Sequence, residues 1–223
     1  MSNKNKKNTT NKSQKNQPSD KKDYTTVIIF AVILLIVGIL VVSSGFGKDD
    51  TSDGTIPALD TNKTYYADIV IKDYGNITVQ LDQHSAPITA ANFVMLAKNG
   101  FYDGLTFHRI IEGFMMQGGA PKGIEAEPIV GEFTANGYDN PLKHERGVIS
   151  MARSNDMNSA SSQFFIMHQT TSSLDGKYAA FGKVISGIDV VDAVCTAAKP
   201  IDGNGSIATA DQPVITSISI RIE

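Results

Sequence analysis

Residue types that could do chemistry concentrate in one stretch, Thr106–Pro121, which reads Thr-Phe-His-Arg-Ile-Ile-Glu-Gly-Phe-Met-Met-Gln-Gly-Gly-Ala-Pro. Arg109 is its odd member, a permanent charge set between Phe107 and Ile110-Ile111. Withdrawing a guanidinium from water is costly unless something partners it. Two readings follow: Arg109 belongs to an internal ion pair, or it faces a ligand. The residues around it predict two strands joined at Glu112-Gly113, a hairpin that leaves through Gly118-Gly119.

Other chemistries find less support. His84, His108, His144 and His168 stand apart, without the i, i+4 pairing or the cysteine partners that zinc sites use, and are read as surface or structural residues. No metal and no cofactor is expected. Gly118-Gly119 is followed by Ala-Pro rather than by the lysine and hydroxyl of a phosphate loop, so nucleotide binding is set aside. No serine has a nucleophile-elbow setting. Cys195 is the only cysteine, which excludes an internal disulfide, and its place on a predicted helix face reads as burial. Met115, Met116, Met151 and Met167 read by default as core.

The elements that must position these groups are mostly strands. Tyr65–Ile71 alternates, turns at Asp73–Asn76 and returns through Ile77–Leu81. A helix opens at Ser85-Ala-Pro87, with Ser85 or a neighbour as its cap. It carries Ile88, Ala91, Val94 and Ala97 on one face and stops at Asn99-Gly100. After the hairpin and a loop-rich region come strands at Gly147–Ala152, Gln163–Met167 and Ala180–Ile185, a helix at Ile188–Ala197, and a last alternating strand at Pro213–Ile222. About eight strands with two helices, spaced too closely for βαβ units, predict a mainly β domain built as a closed antiparallel eight-stranded barrel.

Charge divides the chain. Of 223 residues, 41% are hydrophobic and the net charge is −3. Residues 1–23 hold seven lysines against two aspartates, a surplus of five, which leaves 13 basic and 21 acidic residues, or −8, for the remainder. An acidic body excludes nucleic acid as the main partner, and the Asn-, Lys- and Ser-rich tail reads as disordered. Val27–Val42 is continuously apolar inside an uncharged window, Tyr24–Gly47. As a helix rising about 1.5 Å per residue, that window reaches roughly 36 Å, enough for a bilayer core of about 30 Å. It is read as a transmembrane signal anchor, with the lysine tail cytoplasmic and the rest outside, or secreted if cleavage follows at Ser43–Gly45. The expected organisation is a tail over 1–23, an anchor over 24–47, a linker over 48–63 and a folded domain over 64–223.

Five blocks carry a resemblance. Phe107-His-Arg-Ile-Ile-x-Gly-Phe-Met-x-Gln-Gly-Gly119, Gly147-x-x-Ser-Met-Ala152, Ser162-Gln-Phe-Phe-Ile166, Leu174-Asp-Gly-Lys177 and Phe181-Gly-Lys-Val184 together resemble the cyclophilins, over about Tyr65–Glu223. That resemblance implies a peptidyl-prolyl cis–trans isomerase on an eight-stranded barrel capped by two α-helices. By the resemblance, Arg109 would donate to the proline nitrogen, and Phe114, Met115, Phe165 and Leu174 would hold the proline ring. Gln117 would orient Arg109 with Gln163 in support, and the main chain at Ala152 and Arg153 would pair with the substrate backbone. The implied partners are proline-containing peptides and unfolded exported proteins.

The chain departs from the family pattern in places. Ser173 stands where many members have tryptophan, which removes a pocket wall and implies weakened binding of cyclosporin. Tyr178 replaces a common histidine as an aromatic edge of the substrate site, and Arg153 replaces a frequent asparagine ahead of a turn one residue longer. These differences leave a second reading open, a non-catalytic chaperone or scaffold module that holds proline segments on the same fold.

Overall fold

Alternation of apolar and polar side chains gives the strands two faces, and the fold follows from where each face is buried. The computed structural model describes residues 56–120, 122–123 and 125–223; the basic tail, the apolar run and the linker as far as residue 55 lie outside them. Its order is β1 (Tyr65–Ile71), β2 (Gly75–Leu81), α1 (Pro87–Lys98), β3 (Phe107–Ile111), β4 (Met115–Gly118), β5 (Val148–Met151), β6 (Phe164–Met167), β7 (Ala180–Ser186), α2 (Ile188–Ala197) and β8 (Ile215–Ile222). Ala67, Ile69 and Ile71 of β1 and Phe164 and Ile166 of β6 point inward to one core. Among the described residues no helix is long and apolar enough to cross a membrane.

The strands form one antiparallel sheet in the order β3-β4-β6-β5-β7-β2-β1-β8. The expected closed barrel is corrected here: the sheet curls, but no continuous ladder joins its outer strands. Phe107 N–H donates to Pro213 O at 2.9 Å and Thr106 bridges Val214. Farther along β3 its partner is a loop, through Ile110 N–H to Gly205 O (2.8 Å) and Ile207 N–H to His108 O (2.9 Å). Pro213 has no N–H to extend the ladder, and β8 spends its length on β1. The exposed edge is therefore covered by coil rather than by a strand.

Two helices close the ends of the curl. Phe93 of α1 enters an aromatic cluster with Tyr102, Phe164 and Phe181, at centroid distances of 5.1, 5.4 and 5.2 Å. Val191, Val194 and the buried Cys195 of α2 join the same hydrophobic core, and burial pushes the Cys195 thiol up to about 12. The start of α1 differs from expectation. Ser85 hydroxyl donates to Asp82 instead of capping the helix, and the carboxylate of Glu132, fully buried, accepts Ile88 N–H (3.0 Å) and Thr89 N–H (2.7 Å). A carboxylate there satisfies free amides and meets the positive end of the helix dipole. Ile88, expected on the inner face, is 38% exposed because α1 is covered chiefly along Ala90, Phe93, Val94 and Ala97. The end of the expected linker is also part of the domain: Ile56 and Leu59 pack on the core, and Gln83 donates to Lys63 O at 2.6 Å.

Candidate active site

The outer face of the sheet carries the site. Arg109 on β3 lies opposite Gln117 on β4, which lies opposite Phe165 on β6, which lies opposite Ser150 on β5. Adjacent strands are about 4.8 Å apart, so this row is a line of side chains at hydrogen-bonding and packing reach. A parallel row, Ile111, Met115 and Met167, runs beside it. Sequence separation hides the row entirely, since its members span positions 109 to 165.

A bulge aims the arginine. Phe107 pairs with Gly118 and Arg109 with Gln117, so His108 is an extra residue on β3 with no opposite. Without it, strict alternation would send Phe107 and Arg109 to the same side. With it, Phe107 and Ile110 both face the core while Arg109 faces out. His108 itself is half-buried; burial first, and then the neighbouring Arg109 charge, lowers its pKa.

Arg109 is held by neutral acceptors. Its Nε donates to Asn204 O at 2.7 Å and Nη1 donates to Gln117 Oε1 at 3.4 Å, with Met115 Sδ 4.0 Å from Nη1. Gln117 Nε2 in turn donates to Gln163 Oε1 at 3.0 Å. Among the described residues no carboxylate pairs with Arg109. Among the described residues the ion-pair reading therefore finds no support. An ion pair would quench the charge, whereas a carbonyl and an amide fix the fork and leave its field directed outward.

Beside the guanidinium is a pocket of about 160 Å³ lined by Arg109, Phe114, Met115, Gln117, Ala152, Arg153, Phe165, Leu174 and Tyr178. Its apolar floor is a second hydrophobic cluster outside the barrel core, built on Met115, Val148, Phe165, Met167 and Ala180. Tyr178 meets Phe165 edge-on at 5.8 Å, and the Arg153 guanidinium lies 4.9 Å from the ring centroids of both Tyr178 and Phe133. Arg153 also donates to Lys177 O and Ser154 O, so it acts as a fixed wall. Ser173 is exposed and lies off the pocket lining.

Nine of the ten residues singled out from sequence line this one pocket. Gln163 lines the neighbouring cleft with Gln117, Ala152 and Arg153. One expectation is narrowed. Ala152 N–H is already spent on Gln163 O (2.9 Å), so of the two residues expected to pair with a substrate backbone, Arg153 keeps its main-chain N–H free of protein partners among the described residues.

Sequence reading missed two supports. Asn204 contributes only a carbonyl, from a loop marked by nothing more than the turn-forming Asp202-Gly-Asn-Gly205. His144, read as a solitary histidine, is buried behind Phe165, stacked at 6.0 Å and 17°, with Nδ1 3.1 Å from Asp175 and Nε2 3.0 Å from Ser150 Oγ. A carboxylate only accepts, so Nδ1 carries the proton and Nε2 receives the serine hydroxyl. Burial is the main influence on this ring and lowers its pKa against the pull of Asp175, keeping it neutral.

Comparison with known proteins adds an independent line. A family model described as cyclophilin type peptidyl-prolyl cis-trans isomerase matches residues 66–220. Peptidyl-prolyl cis-trans isomerase B of Bacillus subtilis is 42% identical over 127 residues, 57% of this chain and 87% of that protein. A peptidyl-prolyl cis-trans isomerase of Acinetobacter baylyi is 38% identical over 154 residues, covering 67% and 81% of the two chains. Among solved structures, a Cryptosporidium parvum cyclophilin type peptidyl-prolyl cis-trans isomerase, crystallised in the presence of the dipeptide Ala-Pro, aligns with a TM-score of 0.60 and 28% identity over 70% of this chain and 98% of its own.

Proposed function

The chain belongs to the cyclophilin-type peptidyl-prolyl cis-trans isomerase family, and from that premise we propose how its outer-face pocket performs the reaction. The protein is an enzyme that catalyses rotation about X-Pro bonds and binds proline-containing peptides. The observation that carries the assignment of roles is the Arg109 guanidinium, without a carboxylate partner among the described residues, beside a pocket of about 160 Å³ with an apolar floor.

Conjugation of the amide gives the X-Pro bond a rotation barrier of about 20 kcal/mol. Twisting breaks that conjugation and leaves the proline nitrogen pyramidal, with a lone pair that can accept. The pocket of Phe114, Met115, Phe165 and Leu174 holds the ring still, and the Arg153 main chain holds the peptide backbone. Arg109 then donates to the nitrogen only in the twisted state. A bond made there and not in the planar substrate lowers the barrier rather than merely tightening binding. Gln117, braced by Gln163, keeps the guanidinium on that line. No proton is transferred and no covalent bond forms between enzyme and substrate.

The test is the interconversion rate of a proline tetrapeptide with the full-length chain in detergent micelles. Acceleration above the spontaneous rate is expected. Binding of the peptide with no exchange between its cis and trans signals would instead support the non-catalytic binding module.

We further propose that the enzyme is held on the outer side of the cytoplasmic membrane, where it assists folding of exported proteins. The uninterrupted apolar Val27–Val42 behind a lysine-rich front supports this reading. Cyclosporin binding is expected to be weakened, because Ser173 offers no wall on that side of the pocket.

A further inference from the structure

His168 lies outside the pocket lining, yet its contacts converge on the turn that delivers Phe114 to it. The turn runs Ile111-Glu-Gly-Phe114, closed by Phe114 N–H donating to Ile111 O (3.0 Å), with Gly113 at φ 79°. In such a turn the amide of the third residue points away from the hairpin and usually meets water. Here Gly113 N–H donates to His168 Nδ1 at 2.8 Å. His168 N–H also donates to Phe114 O, at 2.9 Å. One residue thus grips both the third amide and the fourth carbonyl of the turn.

The ring is fixed from its other side by α2. Nδ1 accepts, so in the neutral ring the proton is on Nε2, which lies 3.2 Å from Asp192 Oδ1. That contact falls outside the geometry of a straight hydrogen bond, and Oδ1 is a buried oxygen with no hydrogen-bond partner among the described residues. Asp192 Oδ2 is bound by Arg146 Nη2 at 2.7 Å, which is the main reason the carboxyl pKa is lowered. Arg146 Nη1 donates to His168 O at 2.7 Å. The charged groups that contact His168 are therefore Asp192 of α2 and Arg146 ahead of β5.

We propose that His168 is a positioning residue for the proline pocket, acting through Gly113 and Phe114. This rests on the reading of the Phe114 pocket as the proline site. Nδ1 accepts from Gly113 while the His168 N–H holds Phe114 O, and the contacts with Asp192 and Arg146 keep the ring and its carbonyl in place behind the turn.

The experiment measures kcat and KM for a proline tetrapeptide at pH 7.5, with full-length wild type, His168→Asn, His168→Ala and Arg109→Ala. Asparagine keeps an oxygen acceptor for Gly113, and alanine does not. His168→Ala is expected to raise KM about fivefold to tenfold with kcat changed less than threefold. His168→Asn is expected to stay within about twofold of wild type. If His168→Ala fails to fold, hydrogen exchange at the Gly113 amide decides: it must be slow in wild type and in His168→Asn. A KM unmoved in His168→Ala, a KM raised as far in His168→Asn as in His168→Ala, or fast exchange at Gly113 overturns the proposal. Full activity in Arg109→Ala would instead overturn the reading of the pocket on which it rests.

Discussion

At the scale of residues, the decisive fact is that no carboxylate pairs with Arg109 among the described residues. Its fork is fixed by a carbonyl and an amide, so geometry is set without neutralising charge. The arginine and its apolar neighbours were legible in the sequence because charge among large apolar side chains is rare and costly. Asn204 was not, because a main-chain carbonyl has no side-chain signature. His144 is structural, as read, but its place behind Phe165 was not legible, because its partners Ser150 and Asp175 both lie downstream of it at no motif spacing. The neutral His144 gives a pH prediction for stability. Its pKa is lowered in the fold, so the unfolded chain binds the extra proton first on acidification. Stability is complete above the ordinary imidazole value of about 6.5 and falls as pH drops through it, at up to about 1.4 kcal/mol per pH unit. A melting temperature lower at pH 5.5 than at pH 7.5, with a shallower slope in His144→Asn, is the expected result. Asp175 pulls the same way in a separate window. Burial works against its charge, but bonds from His144 outweigh that and hold its pKa below the usual carboxylate range, so its contribution is lost only in stronger acid.

At the scale of elements, two local departures from regularity position the site. One is the bulge at His108, which turns Arg109 outward; alternation alone cannot announce it, because a single extra residue leaves the apolar pattern of β3 looking continuous. The other is the loop that covers β3 in place of a strand. A Cβ on Gly205 would sit 2.7 Å from Ile110 O, at a φ of 84° that side chains avoid. Gly205→Ala is therefore expected to push Asn204 O away from Arg109 Nε and lower kcat/KM on the order of tenfold to a hundredfold, as a displacement near 1 Å can. Unchanged kinetics would show that the loop does not set the arginine. The cap on α1 is a third case. Helix, start and proline were readable from Ser85-Ala-Pro87, but the acceptor is Glu132, more than forty positions away. Replacing it by alanine leaves buried amides without an acceptor, at a cost of about 2–3 kcal/mol. A fall in melting temperature of roughly 5–10 °C follows for a domain of this size. A change under about 2 °C would mean that water replaces the cap.

At the scale of the whole molecule, the sheet separates two interiors. The barrel core holds the helices and aromatic cluster, while the smaller cluster under Phe165 and Met115 belongs to the pocket. Changes in the pocket can therefore alter catalysis with little loss of fold. Strand count and helix positions were readable from periodicity, but incomplete closure was not, since it depends on Pro213 and on where β8 ends. Membrane attachment is argued from the apolar run alone. The full chain is expected in the membrane pellet after washing with high salt, and a chain lacking residues 24–47 in the supernatant. Recovery of both in the supernatant would oppose the anchor.

The central claim concerns Arg109 and the twisted bond. NMR exchange between the cis and trans signals of a proline tetrapeptide, at saturating peptide, reads the catalysed rotation directly. With Arg109→Ala the catalysed rate is expected to fall by about 10²–10³, as for removal of one transition-state donor, with peptide affinity changed far less. Arg109→Lys is expected to remain impaired, because an ammonium cannot hold Asn204 and Gln117 and still present a fork to the nitrogen. An Arg109→Ala enzyme that exchanges the two isomers as fast as wild type would contradict the account.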